Sequence, residues 1–226
     1  MAQDPARSEG ASRRAFLAAS AATGCAVFAG PGVLLADGRF VIPNSAGFLV
    51  VDTKKCQGCG TCMMACSLAH TGRASYTLSR IQVLQDSFAR WPDDLALAQC
   101  RQCQNAPCVE VCPTGANHAD AKFGHVRRID QSLCIGCKSC VAACPFTPDR
   151  VQWDHGGRKA QKCDLCAETP YLDAPGGPDG VQACVRVCPV GAIAFVREMP
   201  DQTREDSYQA NLRDWVWKRL GMTMEK

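Results

Sequence analysis

The apolar pattern of this chain comes in short pieces. Phe48-Leu49-Val50-Val51 is an unbroken apolar run closed by Asp52, which predicts a short buried strand. Ala116 to His118 and His125 to Ile129 flank Lys122-Phe123-Gly124, a pattern that predicts a hairpin. Val151-Gln152-Trp153 reads as another strand, turned by Gly156-Gly157, and Ala192-Ile193-Ala194-Phe195-Val196 as a further one. Leu78, Arg80, Gln82 and Leu84 alternate with Ser79, Ile81 and Val83, which predicts a strand over 78–84. Near the end the period changes: Tyr208, Leu212, Trp215, Val216 and Leu220 fall at helical spacing. Thr203 with Asp206 resembles a capping box, Lys218 and Arg219 suit a last turn, and Gly221 a stop. This C-terminal helix can pack on the chain's own body, or Trp215 and Trp217 can dock a partner. Residues 67–99 and 167–183 are insertions between patterned segments, the second a surface loop rich in glycine and proline.

Cysteine changes the picture. The chain has 226 residues and 17 cysteines, and much of its 46% hydrophobic content is cysteine and alanine. Cys134, Cys137, Cys140 and Cys144 follow the spacing C-x2-C-x2-C-x3-C, closed by Pro145. Closely spaced thiolates in one loop reach three irons of a single cubane, and the fourth lies about one helical turn further on, pointing away to another cluster. Gly136 is expected to let the backbone pass close to the cluster without a Cβ clash. Cys56, Cys59, Cys62 and Cys66 repeat the spacing, with Ser67 in place of the proline. Cys100, Cys103, Cys108 and Cys112 widen the middle gap to four residues, and Cys163, Cys166, Cys184 and Cys188 to seventeen; Pro113 and Pro189 close these runs. Four quartets use sixteen of the seventeen cysteines, leaving Cys25. Disulfides would close very small loops that a chain of this length does not need. Zinc ribbons use two separated pairs rather than four crowded cysteines. Sixteen thiolates match four [4Fe–4S] clusters. Strand, cluster loop, short helix and strand recur, so the expected fold is α+β, built from duplicated ferredoxin-like domains with insertions and a C-terminal helix.

Charge follows from that chemistry. The formal net charge is +3. Sixteen thiolates and the positive cores of four oxidised clusters bring the holo chain to roughly −5, which argues against nucleic-acid binding. Lys138, Arg101, Lys162 and Lys159 lie near cluster cysteines; they can raise local potentials or be solvated surface charges. There is no dinucleotide fingerprint after a strand and no C-x-x-C-H haem motif. Residues 1–36 read as a targeting segment: Ser12-Arg13-Arg14-Ala15-Phe16-Leu17 resembles a twin-arginine signal, and a charge-free stretch follows from Ala15 to Ala36. No other stretch reaches the length of a membrane span.

Cys56-Gln57-Gly58-Cys59, Cys100-Arg101-Gln102-Cys103-Gln104-Asn105-Ala106-Pro107-Cys108 and Cys134-Ile135-Gly136-Cys137 resemble the polyferredoxin electron-transfer subunits of molybdenum and tungsten pterin oxidoreductases. The resemblance covers Phe48 to Val196, within a four-cluster region at 48–198 (quartets 56–66, 100–112, 134–144 and 163–188) that is followed by the tail at 199–226. Cys66-Ser67-Leu68-Ala69-His70 and Ser79-Arg80-Ile81-Gln82-Val83 look most like the tungsten aldehyde-oxidoreductase type, and the leader is similar to dimethyl-sulfoxide-reductase-type systems. The resemblance implies crossed ligation. Cys56, Cys59, Cys62 and Cys188 would hold one cluster, and Cys163, Cys166, Cys184 and Cys66 its neighbour. Cys100, Cys103, Cys108 and Cys144 would hold a third, and Cys134, Cys137, Cys140 and Cys112 the fourth. It also implies a non-catalytic, exported periplasmic subunit. Such a subunit would pass single electrons between a catalytic pterin subunit and a membrane quinone-interacting subunit or other redox partner. The alternative is a free-standing periplasmic ferredoxin-type carrier.

Overall fold

A computed structural model describes residues 33–34, 40–91, 93–210 and 212. Most of the expected leader, with Cys25, and the tail from 213 onward lie outside the described residues, as does the proposed docking role of Trp215 and Trp217.

The described strands pair two by two, all antiparallel. β1 (Val33–Leu34) pairs with β2 (Phe40–Val41). β3 (Phe48–Val51) pairs with β10 (Ile193–Val196), the strand after the last quartet. β4 (Gln82–Gln85) pairs with β5 (Leu95–Ala98), β6 (Asn117–Asp120) with β7 (Val126–Ile129), and β8 (Val151–Asp154) with β9 (Lys159–Lys162). The β6–β7 pair is the hairpin that the sequence predicts, while β8 contains the strand expected at 151–153 and turns through Gly156-Gly157 into a partner, β9, that was not predicted. Gly124, with φ 61°, turns the β6–β7 hairpin after a short 3₁₀ segment at Ala121–Phe123. The β3–β10 pair ties the two ends of the cysteine-bearing region together, with Ile193 opposite Val51.

Four helices each carry or precede a closing cysteine: α1 (Thr61–Thr71), α2 (Pro107–Glu110), α3 (Ser139–Ala142) and α4 (Ala183–Val187). Their lengths follow from one residue. Proline after Cys112, Cys144 and Cys188 disfavours helix at the cysteine and removes a donor, so α2, α3 and α4 stop at four or five residues. Ser67 follows Cys66, and α1 runs on for eleven residues to a left-handed Gly72.

The core interleaves cysteine with aliphatic side chains. One cluster joins Leu49, Val51, Met63, Ile81, Val126, Leu165 and Ile193 with Cys62, Cys66, Cys100, Cys163 and Cys184. A second joins Ile129, Val151, Ala116 and Ala160 with Cys140, with Cys108, Cys112 and Cys134 packed against it.

Three expectations are corrected. The strand over 78–84 is confined to β4 at 82–85, and its partner β5 was not foreseen. Ser79 turns on itself, its hydroxyl donating to the Ile81 carbonyl at 2.5 Å, while the Gln82 amide donates to the Ser79 carbonyl at 2.9 Å. Such local side-chain bonds compete with a ladder. The start of the C-terminal helix is instead a 3₁₀ turn over Glu205–Tyr208, and Gln209 then bridges to Val51 in parallel. The Thr203 hydroxyl donates to Asp201 at 2.7 Å and so forms no capping box with Asp206. Tyr208 buries its ring and donates to the Arg101 carbonyl at 2.5 Å. Burial wins because the open edge of β3 offers backbone partners: the Ala210 N–H donates to the Val51 carbonyl at 2.8 Å. The loop at 167–183 is only partly a surface loop. Gly177 and Pro178 are buried, and the Tyr171 N–H donates to the Ala69 carbonyl of α1 at 3.2 Å.

Candidate metal centre

In each of the four runs the first C-x-x-C pair uses the same local conformation. The residue before its second cysteine has positive φ: Gly58 at 66°, Gln102 at 51°, Gly136 at 72° and Leu165 at 56°. Glycine adopts this freely. For Gln102 and Leu165 it costs roughly 1–2 kcal/mol each, which packing must offset. Gln102 is clamped, accepting from the Arg127 N–H at 2.6 Å and donating to the Cys163 carbonyl at 2.9 Å, and Leu165 is fully buried. Gly136 has a second reason that differs from the one expected. A Cβ there would stand 2.4 Å from the Arg158 carbonyl oxygen, so the glycine clears the turn between β8 and β9.

The runs do not close on themselves. Cys56, Cys59, Cys62 and Cys188 line one hollow, and Cys66, Cys163, Cys166 and Cys184 line another. Burial pushes the Cys62 thiol up to about 12, and the thiolates of Cys56, Cys188 and Cys59 add to the push. Burial also raises Cys103 to about 12, with Cys100, Cys108 and Cys144 contributing. Cys140 rises to about 11 through burial and the charges of Cys108, Cys112 and Cys134. Cys108 thus faces both of the last two groups. Cys137 is exposed on the same loop as Cys134, and its hydrogen bond with Ser139 holds its thiol below the ordinary value.

No disulfide joins any of the sixteen described cysteines. Among the described residues no three His, Cys, Asp or Glu side chains could hold a single metal ion. A cavity of about 310 Å³ is lined by Asp86, Asp93, Asp94, Arg101 and Arg150 among others and by no cysteine. The residues at the two hollows fit a group larger than one ion that binds four thiolates.

The closing cysteines share a further device. Cys66 Sγ accepts the Arg80 N–H at 3.4 Å, Cys112 that of Asn117 at 3.3 Å, Cys144 that of Arg150 at 3.2 Å and Cys188 that of Ala192 at 3.2 Å. Each donor lies at or just before the start of the next strand, so the backbone stabilises negative sulfur where a closing cysteine leaves its helix.

Buried charge supports the same chemistry. Lys162 is 1% exposed, has no carboxylate partner among the described residues, and points its ammonium at Cys108 Sγ, 3.7 Å away. Arg127, fully buried, spends its guanidinium on the carbonyls of Cys103, His125 and Gln104. Cations this deep need nearby negative charge, which thiolate-bound clusters carry. Sequence reasoning singled out Lys162 but missed Arg127 and Gln102.

It also missed an ion-pair network beside Cys66. His70 donates from Nε2 to Asp164 at 2.9 Å, and Arg80 donates to the other Asp164 oxygen at 2.6 Å. Burial opposes the charge on Asp164, yet Arg80 and His70 outweigh it and hold the carboxylate well below its ordinary range. Burial likewise works against His70, but Asp164 pushes it up to about 9. The signal available in sequence was the i, i+4 pair Cys66 and His70 on α1.

Of the other cations singled out, Lys138 sits over the Trp153 ring at 4.4 Å, Arg101 over the Phe146 ring at 4.3 Å, and Lys159 donates to the Gln131 carbonyl.

Comparison with known proteins agrees with this donor set. Residues 94–198 match the 4Fe-4S dicluster domain family and residues 49–67 the 4Fe-4S binding domain family. The thiosulfate reductase electron transfer subunit PhsB of Salmonella typhi is 39% identical over 149 residues, covering 65% of this chain and 73% of PhsB. Protein NrfC of Escherichia coli is 38% identical over 152 residues, 65% of this chain and 63% of NrfC. The beta subunit of the NADH-dependent phenylglyoxylate dehydrogenase of Aromatoleum evansii is 36% identical over 148 residues, 66% of this chain but 30% of that subunit. With its cysteine runs inside the matched segments, the chain belongs to the ferredoxin-type 4Fe–4S electron-transfer subunits, the family of PhsB.

Proposed function

We propose that this chain is the non-catalytic relay subunit of an exported molybdenum or tungsten pterin oxidoreductase. It would hold four [4Fe–4S] clusters and carry electrons between the catalytic subunit and a membrane quinone module. The observation that carries the reading is the grouping of cysteines across runs. Cys188 stands with Cys56, Cys59 and Cys62, and Cys66 with Cys163, Cys166 and Cys184. The influence of Cys144 on Cys100 and Cys103, and of Cys112 on Cys140, supports the same crossing for the other two sets.

Bound clusters supply reversible one-electron chemistry. The chain's own part is to hold, screen and order them. Buried thiols and aliphatic neighbours exclude water from the interior sites. Cys59 and Cys137 are exposed, so the first and last sets open to the surface where partners could dock. With four cysteines to each set, no site keeps a position for substrate, which supports a relay over an enzyme. The twin arginines at Arg13 and Arg14 support export to the periplasm. No helix among the described residues is long and apolar enough to cross a membrane, and attachment through a partner fits that.

The test is purification of the native protein from its source, followed by metal analysis. The reading expects close to sixteen iron and sixteen sulfide per chain, together with a large pterin-containing chain. About half that iron would sink the four-cluster reading, and recovery as a lone iron–sulfur protein would favour the free carrier.

A further inference from the structure

We propose that Lys162 sets the potentials of two neighbouring cluster sites at once, those of Cys100, Cys103, Cys108 and Cys144 and of Cys112, Cys134, Cys137 and Cys140, and raises both. The inference rests on the relay reading and assigns one side chain a tuning role within it. Lys162 is the last residue of β9 and directly precedes Cys163. Its main chain leads into a third set, while its side chain turns back to Cys108, the thiol that faces both of the other two. Cys108 packs with Cys103 against one buried group of side chains, and with Cys112 and Cys134 against another that holds Cys140.

Arg127 spends its guanidinium on the carbonyls of Cys103, His125 and Gln104, and Arg80 is already paired with Asp164. Lys138 and Lys159 are drawn to a ring and a carbonyl. Lys162 is almost wholly buried, so salt and water screen its charge little. Reduction adds one electron, and one negative charge, to a site; no bond forms or breaks and no proton need move. A fixed positive charge nearby stabilises the reduced form. Because its ammonium stands at Cys108, which packs beside both groups, Lys162 lifts them together and leaves the difference between them little changed.

The test is a redox titration of the full-length cluster-loaded protein with dithionite, followed by electron paramagnetic resonance. Lys162→Met is expected to lower two of the four one-electron transitions, each by at least tenfold in the reduced-to-oxidised ratio at fixed potential, about 59 mV. The other two should stay in place, and 1 M salt should not abolish the difference. Lys162→Arg should return both transitions toward their original positions. Lys162→Gln keeps a donor without the charge and should behave like the methionine variant. No shift, an equal shift of all four transitions, or an arginine variant as low as the methionine one would overturn the proposal. So would failure of both neutral variants to load iron while Lys162→Arg loads fully, since the side chain would then be structural. Original protein that loads no [4Fe–4S] cluster would sink the relay reading itself, a result separable from every one of these.

Discussion

Asp164→Asn is the sharpest test of what holds the second cluster set together. The carboxylate is 1% exposed and joins three parts of the chain: His70 on α1, Arg80 before β4, and its own C-x-x-C loop, where it also accepts the Cys166 N–H at 3.1 Å. Asparagine keeps the shape but loses the charge, and its amide must turn a donor toward His70 or Arg80. Buried His70 and half-buried Arg80 then lose their counter-charge. Removing one partner of a buried ion pair costs about 3–5 kcal/mol. That is a large part of the roughly 5–15 kcal/mol that keeps a domain folded. If clusters are lost from a locally opened state, its population rises roughly 100-fold or more, at 1.4 kcal/mol per tenfold. The assay is the rate of bleaching of cluster absorbance in mild denaturant under anaerobic conditions, with Asp173→Asn as control. Asp173 also pairs with an arginine, but in water, with 75% of its side chain exposed, and exposed pairs contribute little. Bleaching of Asp164→Asn within threefold of the original protein, or no faster than the control, would refute the argument that this network holds the site.

Other outcomes follow from the same geometry. Cys144→Ser should perturb the cluster signal belonging to Cys100, Cys103 and Cys108, and Cys112→Ser that of Cys134, Cys137 and Cys140; spectra showing each change confined to its own run would mean four separate beads. Gly176→Ala would place a Cβ 1.8 Å from the Cys166 carbonyl oxygen, overpacking that costs about 1–3 kcal/mol, and should speed loss of the cluster at Cys66, Cys163, Cys166 and Cys184 in the same bleaching assay. Replacing Arg13 and Arg14 together by lysine should leave the protein in the cytoplasm, as read by cell fractionation; unchanged delivery to the periplasm would show that export depends on another signal.

The sequence by itself determined the cysteine spacing, and through it the donor chemistry, because four thiolates within a dozen residues have few other uses. It also determined where α2, α3 and α4 stop, because proline after Cys112, Cys144 and Cys188 acts on its own neighbours whatever the rest of the chain does. The hairpin at 117–129, and the first strand and turn of the one at 151–162, were legible for the same reason, being local. Pairing over long separations was not. Nothing near Phe48 announces that its strand meets Val196, or that Gln209 rather than a helix turn will occupy the edge of β3. Likewise Gln102 and Leu165 carry no mark of a left-handed backbone, which in the other two loops glycine advertises. Lys162 reads in sequence as either a tuning charge or a solvated surface lysine. Its burial against Cys108 and the closing of the Asp164 network depend on contacts 54 and 94 residues apart along the chain. Such contacts form only when distant segments are brought together, and the charges they bury are stabilised by partners that no local pattern contains.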